Sequence, residues 1–201
     1  MAPRVPITRF GAPRLHRIIR PNPELSRSMS HTRRATVSAF PCHPPPGSLA
    51  SWHAESDFVD SFAFQLPKTA SGDARVLARI MWDRPPLVFR TLLWIRDMVM
   101  RCFGVKTSAS MRSQTDGRDH IDFFPVVSES AGEVVVGEDD IHLDFRASML
   151  VVETGGDRLF VTTTVVRRHN ILGYLYLWAI MPFHRGLVLH SLRRLQSRLH
   201  G

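Results

Sequence analysis

The C-terminal part of the chain carries the pattern that most constrains the fold. Residues 141–152 place an apolar side chain at every second position, which is the period of a β-strand with one buried face. Residues 155–157 (Gly-Gly-Asp) predict a tight hairpin turn, and the β-branched run 159–167 predicts a second strand. Residues 171–199 predict one long helix, which Pro182 could bend. A hairpin followed by a long terminal helix favours an α+β fold.

Shorter elements precede this hairpin. Residues 57–66 predict a first strand, and residues 74–82 predict an amphipathic helix that polar residues cap at its start. Residues 87–103 predict a second helix, because Pro86 suits the first turn of a helix and Gly104 suits its end.

More strands are expected between the second helix and the hairpin. Residues 121–127 predict a strand, and Pro125 within it indicates the edge of a sheet, because proline cannot donate to the ladder. Another strand is expected to begin at residues 133–136. Residues 137–140, which start with a glycine, predict a turn or bulge.

The order of elements is strand, two helices, several strands and a long terminal helix. This order predicts a curved antiparallel sheet that grips the C-terminal helix, the helix-grip arrangement of START and polyketide-cyclase domains. Residues 171–183 are apolar nearly all round the helix, which predicts burial on several sides. A space between helix and sheet is where such an arrangement would bind a small apolar ligand.

Charge divides the chain into two expected parts. Residues 1–50 hold eight arginines, one acidic residue and nine of the 14 prolines, so we expect a disordered basic leader. The leader could be a tail without specific function, an organelle transit peptide, or a basic arm for nucleic acid or anionic lipid. It could also reflect an early start codon, with Met29 as the natural start. Residues 51–201 carry a net charge of +1 and are expected to form a single domain that does not bind nucleic acid.

The sequence also bears on compartment. The longest uncharged apolar run, 171–183, is shorter than the roughly 20 residues of a membrane-spanning helix. No secretory signal is visible, and two cysteines, Cys42 and Cys102, do not make a disulfide framework. We therefore expect a cytoplasmic protein without a membrane span.

One polar row stands out as candidate catalytic chemistry. Asp140, His142 and Asp144 lie at alternate positions of one predicted strand, with Arg146 next in the row. His142 could act as a general base that Asp144 or Asp140 orients, and His with carboxylates could also bind a metal. A solvated, charged sheet face explains the same alternation without any activity.

Other residues are candidate ligand contacts. We expect Asn170 to cap the long helix, with His169 in the loop before it or in contact with a ligand. His184 follows Pro182 and could bond to a backbone group that the proline frees, or point into the cavity. The full set of candidate ligand-binding residues is Arg96, His169, Tyr174, Trp178 and His184.

The sequence lacks several motifs that would indicate a reaction. It contains no Cys-x-x-Cys, no His-Glu-x-x-His and no Gly-x-Ser-x-Gly. We therefore predict neither a metal site nor a cofactor.

Three stretches resemble a known family. They are residues 94–104, residues 137–146, and the segment 163–184 with its Thr-Thr-Val-Val, His-Asn and Pro-Phe-His clusters. Through them the chain from about Asp57 to Leu195 resembles a bacterial family of unknown function, DUF2867. The resemblance implies a helix-grip-like fold and no established reaction. Relatives can be fused behind a dinucleotide-binding reductase domain, but this sequence has no Gly-x-Gly-x-x-Gly, so NAD(P)-dependent activity is not implied.

The leading hypothesis is that the protein binds an apolar or amphipathic small molecule between the sheet and the C-terminal helix. One alternative is a small enzyme that performs acid–base chemistry with His142 in the same cavity. The other is a non-catalytic interaction module that uses Arg193, Arg194 and Arg198 on an acidic partner. Whether the protein is an enzyme, and its oligomeric state, stay open at this level.

Overall fold

The computed structural model describes residues 39–46, 49, 52, 54–83, 119–122 and 124–200. Every described residue belongs to one compact unit, Arg34–Gly201. The predicted helix 87–103, with Arg96, lies outside the described residues.

The described strands form one antiparallel sheet. In spatial order it reads β1-β2-β7-β6-β5-β4-β3. The described helices are α1 and a much longer α2 that packs against the sheet, so the predicted α+β architecture with a long C-terminal helix is confirmed. The bounds are β1 Phe40–Pro41, β2 Phe58–Gln65, α1 Ala74–Trp82, β3 His120–Ile121, β4 Phe124–Glu129, β5 Glu133–Asp139, β6 Leu143–Thr154, β7 Asp157–Arg168 and α2 Ile171–His200.

The β6–β7 hairpin is the centre of the sheet. Its ladder runs without interruption from Leu143 opposite Arg168 to the turn. Gly155 and Gly156 both have positive φ, 60° and 89°, which is the left-handed geometry that glycine adopts without strain. The predicted hairpin turn is therefore confirmed, and it fixes which side chains share a face.

Gly137 does not make the turn that the sequence predicted. β5 continues through Asp139, and the chain reverses at residues 140–142. A Cβ at Gly137 would collide with the Phe145 carbonyl oxygen and would lie 2.6 Å from Arg146 Cδ. Glycine is needed here because the backbone carbonyl of Phe145 and the side chain of Arg146, both on β6, leave no room for a Cβ.

The predicted strand 121–127 is split in two. Asp122 has φ 56°, and this left-handed residue interrupts the strand between β3 and β4. Pro125 pairs with His120 in β3, the two-residue strand at one edge of the sheet. β1 lies at the other edge, so the described fold includes Phe40, which precedes the predicted domain start at residue 51.

Each of the two described helices begins at a residue whose side chain caps the helix N-terminus. Asp73 Oδ1 accepts hydrogen bonds from the backbone N–H groups of Arg75 and Val76 at the start of α1. Asn170 Oδ1 does the same for Leu172 and Gly173 at the start of α2, as predicted.

The core lies between the sheet and its two helices. α1 contributes Leu77 and Met81, and the second half of α2 contributes Leu192 and Leu195. These side chains pack on the sheet at a row that crosses three neighbouring strands, here called the packed row. Its members are Phe62, Thr162 and Met149, which are 1%, 4% and 0% exposed.

The opposite face of the sheet is covered by the chain that precedes β2. Leu49 is buried there against Val135 and Val165. The Trp52 ring also lies on this face, with the guanidinium carbons of Arg146 and Arg167 at 4.4 and 4.0 Å from its centroid. The face that carries the polar row of β6 is therefore not an open solvated surface.

The first half of α2 corrects another expectation. Its apolar residues were predicted to be buried on several sides, but Ile171 and Trp178 are each 71% exposed. Only a narrow side of α2 contacts the sheet here, as at Gly173. The opposite side of the helix faces away from the sheet, so its apolar residues stay exposed.

Candidate functional site

On the face of the sheet toward α2, one row of residues is less buried than the packed row beside it. Asp60, Thr164 and Ala147 face one another across β2, β7 and β6, two residues along from the packed row. All three are only half-buried, although β7 and β6 are central strands. We call this set the open row.

Aromatic side chains flank the open row. Phe58 and Phe145 come two residues further along β2 and β6, on the same face, and both are half-buried. Phe145 also contacts Phe124 of β4, with ring centroids 5.6 Å apart. The open row thus has an apolar border, a composition typical of small-molecule sites.

The polar centre of this region is a carboxylate–imidazole pair. His184 of α2 approaches Asp60 with Nε2 at 3.7 Å from Oδ2. This is too long for a hydrogen bond, and the buried Nε2 has no hydrogen-bond partner among the residues that the structure describes. The His184 ring also packs edge-on against Phe58, with centroids 5.4 Å apart.

Burial shifts the pKa values of both groups toward their neutral forms. Desolvation raises the pKa of Asp60, and the nearby His184 and Arg185 only partly offset this effect. Desolvation lowers the pKa of His184, against the opposing influence of Asp60. Two ionisable groups pushed in opposite directions at the edge of an open region are typical of a binding or catalytic site.

A second polar cluster forms where β6 and β7 meet the start of α2. His142 is 8% exposed and lies against this junction, with its Nδ1 at 3.1 Å from Asn170 Oδ1. The Asn170 side-chain amide donates to the Ile141 carbonyl, and the His169 backbone N–H donates to the His142 carbonyl. Gly173 packs so closely that a Cβ there would collide with the His142 carbonyl oxygen.

This network determines the tautomer of His142. Because Asn170 Oδ1 accepts two backbone N–H groups of α2, it must also act as the acceptor toward His142. A neutral His142 therefore carries its proton on Nδ1 and leaves a lone pair on Nε2. That Nε2 is buried, and within the described part of the chain it has no hydrogen-bond partner.

The carboxylates of the polar row do not orient His142 as the catalytic hypothesis expected. Asp144 Oδ2 lies 2.9 Å from Nε2 of His169, and Asp144 Oδ1 accepts from the Asp140 backbone N–H. The side chain beside His142 is that of Asn170, because the first turn of α2 packs against His142. Among the described residues, no three Asp, Glu, His or Cys side chains are grouped to hold a metal ion.

Arg146, the remaining residue of the polar row, also has its partner within the protein. Arg146 is 9% exposed and pairs with the carboxylate of Asp139, with Nη1 and Nη2 at 2.7 and 2.9 Å from its two oxygens. Together with buried His142, this burial overturns the view of the row as a solvated charged face.

Two predicted ligand contacts lie on the outer side of α2. Tyr174 is 49% exposed beneath the Arg168 guanidinium, whose carbon is 5.0 Å from the ring centroid. Trp178 is exposed one turn later. A molecule beneath α2 would not reach Trp178, so a binding role for it needs an occupant on the outer side of the helix.

The sequence analysis missed the open row. Asp60 had a visible signal, because it is the one charged side chain among the phenylalanines on its face of the strand. Thr164 and Ala147 had none, since neither residue type distinguishes an open sheet position from a packed one.

A separate cavity opens at the far end of α2. It has a volume of about 270 Å³ and includes Lys68, Arg158 and His200 in its lining. Arg158 donates to three backbone carbonyls of residues 67–70. This cavity does not coincide with any predicted site residue.

Comparison with known proteins identifies the family. The family model described as "Protein of unknown function (DUF2867)" matches residues 52–190. The chain belongs to the DUF2867 family. No curated protein matches the chain. The crystal structure of TTHA0849 from Thermus thermophilus is similar at a TM-score of 0.32 and 10% identity, covering 71% of this chain and 97% of that one.

The described helices include none that is long and apolar enough to cross a membrane. For α2, four arginines and Pro182 interrupt the apolar sequence.

Proposed function

We propose that this DUF2867 protein binds an apolar or amphipathic small molecule between the first half of α2 and the sheet. The observation that carries the proposal is the half-buried state of the open row (Asp60, Thr164 and Ala147) on central strands of the sheet. Central strands that face a packed helix are normally sealed from solvent, as the neighbouring packed row is.

The chemistry of the region suggests what the molecule looks like. Phe58, Phe145 and Ala147 offer an apolar surface for its body. Asp60 is partly desolvated, so a hydroxyl or amino group placed beside it would give its carboxylate a further hydrogen-bond donor. His184 Nε2, which also lacks a partner, could bond to the same group.

Dye titration of the full chain tests the proposal. N-phenylnaphthylamine, a neutral aromatic amine that fluoresces in apolar surroundings, is the probe. Ala147→Phe places a ring in the open row and should abolish the fluorescence gain, whereas Ala131→Phe, in an exposed turn, should leave it unchanged. Equal titrations for wild type and both variants, or no gain with wild type, would refute binding in this region.

One observation favours an enzymatic alternative at a different place. The buried lone pair on His142 Nε2 has the form of a general base without a substrate. Its neighbour is Asn170 and not a carboxylate, so the role for Asp140 and Asp144 in this hypothesis would be indirect. The interaction-module alternative has less support, because Arg194 and Arg198 both donate to Asp83 or its backbone.

The location proposed with this function is the cytoplasm. The support for it is the cysteine usage, because Cys42 and Cys102 do not make the disulfide framework of a secreted domain.

A further inference from the structure

The cavity at the far end of α2 brings three basic side chains together. Lys68 follows the end of β2, Arg158 lies at the start of β7, and His200 is the last residue of α2. The cavity shares no residue with the open row, so it is a separate place in the fold. Its volume of about 270 Å³ is close to the roughly 300–1,000 Å³ of known ligand pockets, and a small molecule fits it.

These basic side chains lack carboxylate partners. Within the described part of the chain, Lys68, Arg158 and His200 form no ion pair, whereas Arg168 pairs with Asp57. Among the described residues of the lining, the one carboxylate is Asp157, and it forms no ion pair either. Two permanent cations against one carboxylate leave the described lining with an excess of positive charge.

Arg158 is held in place by neutral groups. Its Nη2 donates to the backbone carbonyls of residues 67, 68 and 70, at 3.3, 3.0 and 2.8 Å. These bonds use the N–H groups of one nitrogen, and a guanidinium has five N–H donors in all. The carbonyls therefore orient the half-buried guanidinium without neutralising its charge.

His200 offsets the negative end of the helix. The carbonyls in the last turn of a helix disfavour an anion beside them. The Gln196 carbonyl oxygen lies 2.7 Å from His200 Nδ1. Because a carbonyl oxygen only accepts, Nδ1 carries the proton and satisfies that carbonyl. Protonation of Nε2 would add a further cation to the lining.

We propose that this cavity binds a small organic anion, with a carboxylate or phosphate group beside Lys68 and Arg158. Guanidinium and ammonium groups are the side chains that form charge-assisted hydrogen bonds with both kinds of anion. Pro67, which also lines the cavity, offers apolar contact to the carbon part of the molecule. This binding is independent of the function proposed for the open row.

Calorimetric titration of the full chain tests the proposal. The probes are citrate and, in a second series, inorganic phosphate, with sodium chloride keeping the ionic strength constant. Wild type should bind at least one of them saturably, and the tighter probe identifies the preferred anionic group. Lys68→Glu should weaken that binding by about tenfold or more, because it replaces attraction by repulsion. Arg193→Glu, the same charge change at an exposed position of α2, is the matched control and should bind like wild type.

Asp157→Asn gives a prediction of the opposite sign. Removing the carboxylate from the lining should tighten binding by about two- to fivefold, an effect that damage to the fold would not produce. Every variant retains the basic residues 1–50, so their contribution cancels in the comparison. The proposal is wrong if wild type binds neither probe saturably, if Lys68→Glu and Arg193→Glu bind equally, or if Asp157→Asn fails to tighten binding.

Discussion

Two rows of side chains, two residues apart on the same three strands, have different surroundings. The packed row (Phe62, Thr162 and Met149) is sealed by α1 and the second half of α2, with no member more than 4% exposed. The open row is half-buried and faces the first half of α2, where the nearest polar group is His184. One helix therefore buries the packed row with its second half, whereas the open row beside its first half is only half-buried.

The difference follows from the residues that α2 presents to the sheet. In its second half Val188, Leu192 and Leu195 fill the face toward the packed row. In its first half Gly173 lets the helix approach the backbone of His142, and no large side chain is possible at that point. The open row thus lies between two tightly packed regions: the contact of Gly173 with the His142 backbone at one end, and the core at the other.

The largest expected effect compares two phenylalanines of β2 that face α2. Phe62→Ala removes a ring that is 1% exposed and should cost about 3–5 kcal/mol in free energy of unfolding. Phe58→Ala removes a half-buried ring that packs edge-on against the His184 ring, and should cost about 1 kcal/mol. Urea unfolding of both variants measures the difference, and equal costs would mean that the border of the open row is as well packed as the packed row.

Two glycines of α2 make the next comparison. Gly173→Ala forces a Cβ against the His142 carbonyl and should cost about 1–3 kcal/mol, as overpacking does. Gly186→Ala meets no atom within 4 Å and should gain about 0.5–1 kcal/mol from helix propensity. Thermal unfolding monitored by circular dichroism gives the signs; a gain at both positions would show that the close approach at the start of α2 is not required.

The caps of the two helices should differ by less. Asp73→Ala removes a cap that serves α1 alone and should cost about 1 kcal/mol. Asn170→Ala removes a cap and also the hydrogen-bond partner of His142 and Ile141. We therefore expect a loss in free energy of unfolding of about 2 kcal/mol, the upper end of the range for a cap. If chemical denaturation gives the two variants equal stability, the junction around His142 contributes nothing beyond the cap.

The smallest effect is a change in pH dependence. Burial lowers the pKa of His184 in the folded protein, whereas the unfolded chain keeps an ordinary pKa of about 6.5. Between these values only the unfolded chain binds the proton, so stability falls as the pH falls through this window. His184→Gln should reduce that fall, and His190→Gln, at an exposed position, should not.

Asp60 acts in the opposite direction. Its raised pKa means that its contribution to stability is present below its unfolded pKa and is lost as the pH rises through the folded value. Asp60→Asn should therefore increase stability at neutral pH, as measured by urea unfolding. A loss of stability at neutral pH would show that the Asp60 carboxylate is already paired favourably in the ligand-free protein.

Much of the fold could be predicted from the sequence because its elements have strong local signals. The alternation in β6, the double glycine of the hairpin and the caps at Asp73 and Asn170 each determine structure within a few residues. Gly137 was misread because its requirement comes from the Phe145 carbonyl and the Arg146 side chain on another strand. A contact between strands leaves no trace in the local pattern.

The candidate site was only partly predictable for the same reason. The polar row of β6 was visible, but which group meets His142 depends on where α2 begins relative to the β5–β6 turn. Asp60 and His184 are 124 positions apart in the numbering and meet only through the packing of α2 on β2. The exposure of α2 was mispredicted because an apolar sequence does not show which of its sides finds a partner.

Native mass spectrometry of the gently purified full chain tests the central claim, that the space beneath the first half of α2 holds a small molecule. The account predicts a non-covalent mass above that of the chain, released on denaturation, absent from Ala147→Phe and retained by Ala131→Phe. A wild-type chain that carries no added mass and gains none from N-phenylnaphthylamine would contradict it.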